Sequence, residues 1–189
     1  MGAQGDLFGS DEPVLPGLGV WPDAVSPAME AELTFGIDAA PLEPFKFGQW
    51  TGKRLTANYG SGYDYQRGTT TPAPAIPDWL LDLRAHLAPL AGLQADALKQ
   101  ALVIRYDPGA GIGWHRGRPQ YGDVIGLSLG AFATMRFRRR RADGGFDRHY
   151  VPLAPRALYR LSGEARHRWE HSIAPMDETR WSVTFRTLA

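Results

Sequence analysis

Two histidines and two arginines stand in neighbourhoods that suit chemistry. His115 follows a glycine-rich turn, Pro108-Gly109-Ala110-Gly111-Ile112-Gly113-Trp114. That turn leaves a strand expected over residues 101–106. Gly109, Gly111 and Gly113 are expected to let the backbone take positive φ angles and pass close to a bound object. His171 lies in Trp169-Glu170-His171-Ser172-Ile173. Each of these two histidines sits beside a tryptophan, at the entry or in the interior of an expected strand. His86 falls on the polar side of a helix, and His149 and His167 are flanked by arginines and read as exposed. In the last strand, Arg180, Ser182, Thr184 and Arg186 share one face, while Trp181, Val183 and Phe185 share the other.

Imidazole suits Fe(II), and two histidines plus one carboxylate with open positions is the arrangement of iron oxygenases. The arginines point away from the hydrophobic trio. If that side is the lumen of a barrel, their guanidiniums need anionic partners, because a buried unpaired charge is costly. Their Cα atoms would lie ~20 Å apart on a straight strand. They cannot grip one carboxylate, but they could engage opposite regions of a small dicarboxylate through forked hydrogen bonds. An edge strand with both arginines in solvent is the competing arrangement.

These groups need a scaffold, and 189 residues suit one domain with a substantial core. With no cysteine in the chain, any metal must be held by His, Asp, Glu or water. No apolar run approaches the ~20 residues that span a bilayer, and residues 1–10 lack a secretory pattern. A cytoplasmic protein with no membrane attachment is the expectation. The net charge of +1 hides an asymmetry: residues 1–100 balance to −6 and residues 101–189 to +7, the latter with 15 Arg and no Lys. A basic surface around a site favours an anionic partner, nucleic acid among them, although solubility charge alone would look the same.

Residues 1–20 are rich in Gly, Pro and acids and read as a flexible N-terminal arm before one domain over 21–189. Ser26 caps a short helix begun by Pro27 and extending to about residue 33. Residues 41–49 are extended and aromatic. Residues 51–65 interleave Lys53 and Arg54 with Tyr59, Tyr63 and Tyr65, and glycines lie between them. Such a loop could stack bases and hold phosphates, or be an ordinary tyrosine-bearing hairpin. Helices are expected over residues 78–87 and 93–100. Short strands follow at 101–106, 124–129, 134–138, 149–153, 157–161, 169–173 and 180–187. Arg138, Arg139, Arg140 and Arg141 would sit exposed at a hairpin tip, as phosphate contacts or as solvated charge. Helices first and many short strands after suggest a β-sandwich or jelly roll backed by helices.

In order along the chain, Ile104-Arg-Tyr106, Pro108-Gly109, Gly113-Trp114-His115-Arg116, Leu127-Ser-Leu-Gly130, Phe137-Arg-Arg-Arg-Arg141, His171-Ser-Ile173 and Arg180-x-Ser-x-Thr-Phe-Arg186 resemble the AlkB family. Members are Fe(II)- and 2-oxoglutarate-dependent dioxygenases that oxidatively dealkylate nucleic acids in DNA repair. The resemblance covers about residues 14–188. It implies a mainly β fold with flanking α, with a double-stranded β-helix (jelly roll) core backed by N-terminal helices. It implies His115 and His171 as metal ligands. Arg180, Tyr106 and Ser182 would hold 2-oxoglutarate, and Arg186 would lie nearer the metal and the chemistry. Residues 51–65 would be a nucleotide-recognition lid, with Trp50, Arg54, Tyr59, Gly60, Tyr63 and Arg116 contacting substrate. The implied partner is alkylated single- or double-stranded DNA, or RNA, bound by a monomer.

The family's pattern is His-x-Asp, and this chain has His115-Arg116-Gly117. Glycine cannot coordinate. Ile104 also replaces an Asn often found two residues before the tyrosine. Three readings compete at Gly117. The first is a lesion, natural or introduced, on a family scaffold that leaves weak iron binding or a nucleic-acid-binding homologue with little turnover. The second is that water, a halide or an exogenous carboxylate fills the place, as in related halogenases. Or another acid, Asp107 or Asp123, swings in.

Overall fold

Alternation along the second half of the chain produces two antiparallel sheets, and the helices of the first half cover one of them. The computed structural model describes residues 15–47, 49–64 and 69–189, with side chains excluded at 47, 50, 61–64 and 69–72. β1 (Leu18–Trp21) leads into α1 (Pro27–Asp38) and the hairpin of β2 (Glu43–Phe47) and β3 (Trp50–Tyr59). A small hairpin follows, β4 (Ser61–Asp64) and β5 (Thr69–Pro72), then α2 (Asp78–Leu90) and a 3-10 turn at Ala95–Ala97. Next come β6 (Leu98–Tyr106), β7 (Ile112–His115), β8 (Tyr121–Gly130) and β9 (Ala133–Arg140). β10 (Phe146–Leu153), β11 (Leu158–Leu161), α3 (Gly163–His167), β12 (Glu170–Ile173) and β13 (Arg180–Leu188) complete the chain.

The major sheet has the order β1-β11-β8-β13-β6-β3-β2 and the minor sheet β10-β9-β12-β7, the two-sheet arrangement of a jelly roll. α1 is capped as its sequence predicts, with Ser26 Oγ accepting the Met29 N–H at 3.1 Å, a contact typically worth about 1 kcal/mol. Its Leu33 and Ile37, with Leu80, Leu83 and Leu87 of α2, pack on the outer face of the major sheet against Val103, Leu127, Val183 and Phe185. That burial leaves the inner face of β13 and β6 turned toward the minor sheet, where Met135, Phe137 and Ile173 build a second apolar cluster. β8 is buried on both faces, which makes its sequence read as a continuous apolar run rather than an alternation.

Four expectations are corrected. Residues 15–20 are not a loose arm: Leu15 is 1% exposed, and Leu18 to Trp21 pair with Leu161 to Leu158 of β11. The expected helix over 93–100 is only the 3-10 turn, because Leu98 and Gln100 are drawn into the ladder opposite Thr187 and Arg186. A short helix, α3, interrupts what reads as strands and turns. Arg138 and Arg139 are half-buried rather than exposed at a tip: Arg138 pairs with Glu170 at 2.6 Å, and Arg139 with Glu164 at 2.7 Å.

Candidate active site

Between the two sheets lies a cavity of about 1080 Å³. β7 and β12 are neighbours in the minor sheet, and their register sets His171 opposite His115. The two imidazole centroids are 4.2 Å apart. His115 Nδ1 lies 2.9 Å from the Gly113 carbonyl, so as the donor it leaves Nε2 with its lone pair for a ligand. Burial pushes both imidazoles below their ordinary pKa, His171 well below. Arg54 and Arg186 add to that effect at His115, and His115, Arg166 and Arg186 at His171. Neutral imidazole is the form that coordinates a metal.

The turn before His115 uses its glycines unequally. Gly109 has φ +80°, and a Cβ on Gly111 would lie 2.7 Å from the Ile173 carbonyl oxygen. Gly113 shows neither constraint, correcting the expectation that all three are needed.

On β13, Arg180, Ser182, Thr184 and Arg186 all line the cavity, as the alternation requires. Arg180 is 1% exposed. Its Nε donates to Ser128 Oγ at 3.0 Å, and its guanidinium stacks 5.1 Å above the buried Tyr106 ring. Its Nη1 is buried with no hydrogen-bond partner among the described residues. Such an orphan donor costs ~1–3 kcal/mol, and a carboxylate would satisfy it. The residues present therefore fit 2-oxoglutarate. Arg186 donates to Gln100 Oε1 at 2.6 Å. Tyr159 was missed in the sequence. Burial raises its pKa, it hydrogen-bonds Thr184, and it lines the same cavity. Its only sequence signal is alternation with Leu158 across a four-residue strand.

For iron the fit is partial. The two imidazoles are in place, but no third acid joins them, and no group of three metal-ligating side chains occurs among the described residues. Asp123 is held by Arg160 at 2.6 Å and Asp107 by Arg105 at 2.7 Å, so neither swings in. A Cβ on Gly117 would stand 2.6 Å from Cζ and Nη1 of Arg166. Arg166 is 3% exposed on α3 and was not singled out in the sequence. It donates from Nε to the Gly122 carbonyl at 2.8 Å, and from Nη2 to the Arg118 and Tyr121 carbonyls at 2.6 and 2.7 Å.

Of the expected substrate contacts, Arg54 lines the cavity with its guanidinium 3.7 Å above the Phe45 ring, and Arg116 lines the rim. Tyr59 lines the wall but is 7% exposed and packs into the core under α2, so it offers no open stacking face. Gly60 is required by its own backbone, with φ +79° and no room for a Cβ against the Lys99 carbonyl. The side chains of Trp50 and Tyr63, and all of Tyr65, lie outside the described residues. Among the described residues, seven Lys or Arg and one acid, Glu43, line the cavity.

Residues 43–186 match the 2OG-Fe(II) oxygenase superfamily. A protein of Danio rerio named "Probable RNA/DNA demethylase ALKBH6" is 32% identical over 142 residues, covering 75% of this chain and 57% of the relative. An Arabidopsis thaliana "Alkylated DNA repair protein ALKBH8 homolog" is 29% identical over 187 residues, covering 84% of this chain and 51% of the relative. An uncharacterized Acanthamoeba polyphaga mimivirus protein, L905, is 35% identical over 102 residues, covering 47% of this chain and 48% of the relative. The chain thus spans about half the length of these relatives. The solved structure of OsALKBH1 superposes with a TM-score of 0.70 at 14% identity, covering 93% of this chain and 99% of that one, a likeness of fold. The family's cofactors are Fe(II) and 2-oxoglutarate, and the chain belongs to the 2OG-Fe(II) oxygenase superfamily as an AlkB-like dioxygenase.

Proposed function

We propose that the chain oxidatively dealkylates N-alkylated bases in DNA or RNA, with turnover held low by Gly117. The observation that carries this reading is the convergence of His115, His171, Arg180 and Arg186 on one cavity whose lining is overwhelmingly cationic. Nε2 of His115 and a ring nitrogen of His171 would hold iron, and Arg180 would take the distal carboxylate of 2-oxoglutarate through its unpartnered Nη1. Tyr106 would brace that guanidinium, and Ser182 would line the co-substrate's path. Arg186, near both imidazoles, would balance charge at the reacting end. Iron with 2-oxoglutarate and oxygen, when bound, supplies the hydroxylation of the N-alkyl carbon.

Arg54, held over Phe45, and Arg116 at the rim would grip backbone phosphate while the target base turns inward. Flipping is cheapest for damaged or unpaired bases. The outer face of the minor sheet extends this basic track: Arg138 lies 4.5 Å from the Trp114 ring centroid, with Arg140 and Arg148 exposed alongside. The monomer, the cytoplasmic setting and a single domain that takes in Leu15 and β1 belong to the same reading.

The test is incubation of the protein and its Gly117→Asp version with Fe(II), 2-oxoglutarate and methylated single-stranded DNA or RNA, following succinate and formaldehyde. Low release by the parent and higher release by the variant are expected. A variant that binds 2-oxoglutarate and nucleic acid yet releases neither product defeats the dealkylase reading. One observation favours a second reading, a binding protein with almost no turnover: the guanidinium of Arg166 stands where the third ligand's side chain would begin.

A further inference from the structure

We propose that the outer face of the minor sheet is a platform for single-stranded nucleic acid, with Tyr150 stacking on a base and Arg140 and Arg148 holding phosphates. This rests on the dealkylase reading of the cavity, since the bound strand is the one whose altered base enters it. Alternation gives the minor sheet two faces. His171 and Phe137 point inward, so their neighbours Glu170, Arg136 and Arg138 point outward. On β10 the register sets Phe146 opposite Arg140, Arg148 opposite Arg138 and Tyr150 opposite Arg136. Trp114, next to the inward His115, has the Arg138 and Arg136 guanidiniums 4.5 and 5.2 Å from its ring centroid.

Stability alone does not call for such a face. Four arginines stand there against one carboxylate, Glu170, which is taken by Arg138. Arg148 lies directly opposite Arg138, a like-charge pair that costs stability. Neither Arg140 nor Arg148 has an acidic partner among the described residues. The aromatics are treated unequally. Arginines cover Trp114, and Arg138 and Arg148 lie 4.9 and 5.5 Å from the Phe146 centroid. Nothing covers Tyr150, which is 60% exposed. An open ring beside unpaired guanidiniums suits a single strand: the ring stacks on any base, and the cations follow the phosphates. The face of a four-stranded sheet is room for two or three bases. A duplex offers phosphates but hides its base faces.

The platform connects with the cavity. β7 is an edge of the minor sheet, and Arg116, directly after it, lines the cavity rim. β10 is the opposite edge, three strand spacings or ~14 Å away. A strand leaving the cavity over β7 crosses Trp114 and Arg138 before it reaches Tyr150.

The experiment is fluorescence anisotropy of the full chain with a labelled twelve-nucleotide oligothymidylate, the matching oligouridylate and a twelve-base-pair duplex. Tyr150→Ala should weaken binding of at least one single strand roughly tenfold at fixed salt. The slope of log Kobs against log salt should not change, because no phosphate contact is lost. Tyr150→Phe keeps the ring and should bind within about twofold of the parent. Duplex binding should be the same in the parent and Tyr150→Ala. Should Tyr150→Ala not fold, Tyr150→Thr, with a strand-forming side chain, takes its place. Single strands bound equally by parent and variant, or a duplex weakened as much, overturn the platform and leave the cavity reading standing. A parent that binds neither single strand removes the nucleic-acid reading itself, and the platform with it.

Discussion

Arg180→Met offers the sharpest separation of binding from folding. In the protein alone, Arg180 is 1% exposed, makes one hydrogen bond to Ser128 Oγ and leaves Nη1 without a partner. Removing the side chain gives up that one bond and also removes an orphan donor that costs ~1–3 kcal/mol. The two nearly cancel, so the unliganded variant should melt within a few degrees of the parent. With 2-oxoglutarate the balance changes. Charge-assisted bonds contribute ~1.5–3 kcal/mol each, and loss of about 3 kcal/mol weakens binding roughly 150-fold. At a concentration near 100 times the parent's Kd, ligand adds about 2.7 kcal/mol of stability, which for a chain this size raises Tm by roughly 5–10 °C. The variant at that concentration should gain about 1 °C. Thermal melts with and without 2-oxoglutarate read both numbers. A variant that collapses without ligand, or gains as much Tm from 2-oxoglutarate as the parent, refutes the assignment of that orphan to a carboxylate.

The other outcomes test separate parts. Gly60→Ala forces a Cβ onto the Lys99 carbonyl at φ +79°. It should cost about 2 kcal/mol or more and lower the denaturant midpoint without changing its slope. Arg140→Ala with Arg148→Ala removes two exposed cations from the outer face of the minor sheet. The log Kobs against log salt slope for single-stranded nucleic acid should become shallower by about 1.4, at ~0.7 per contact, by fluorescence anisotropy; an unchanged slope removes that face from the interface. Glu164→Ala deprives Arg139 and Trp169 of their shared acceptor. It should lower Tm by several degrees in thermal melts, and an unchanged Tm would show that this acceptor does not hold α3 in place.

The β architecture was readable because strands such as β9 and β13 carry a period-2 pattern with one polar face, while β8, buried on both faces, reads as a short apolar run. Alternation put Arg180, Ser182, Thr184 and Arg186 on one face but left lumen and solvent open, and the pairing of β13 between β6 and β8 decides for the cavity. Boundaries near the sheet edges were not readable. Leu15 to Leu18 look like part of a Gly- and Pro-rich arm, yet Leu18 pairs with Leu161 and the Pro16 carbonyl accepts from Ala165 of α3, more than 140 residues away. Residues 93–100 have helical composition, but the ladder to β13 outweighs a preference worth a few tenths of a kcal/mol per residue. Arg166 was hidden for a different reason. Its surroundings, Glu164 to Arg168, have the composition of a solvated turn, and only the docking of α3 under the cavity turns that guanidinium inward.

That inward turn changes what Gly117 means. In sequence it is a deletion: a position where the family pattern wants an acid and this chain has none. In the structure the space is claimed by a cation fixed by three carbonyls. An aspartate there would meet Arg166 before it met anything else. The guanidinium would have to shift aside, and the resulting pair would be buried, where the attraction must first offset desolvation of both groups. Gly117→Asp should therefore do two things at once: supply the third oxygen ligand that the imidazoles lack, and displace Arg166 from the carbonyls that hold it. Retained Fe(II), measured by metal analysis after desalting, should rise in the same variant whose metal-free Tm falls below the parent's. If iron retention does not rise, or the metal-free variant melts where the parent does, the guanidinium does not contest the space at residue 117.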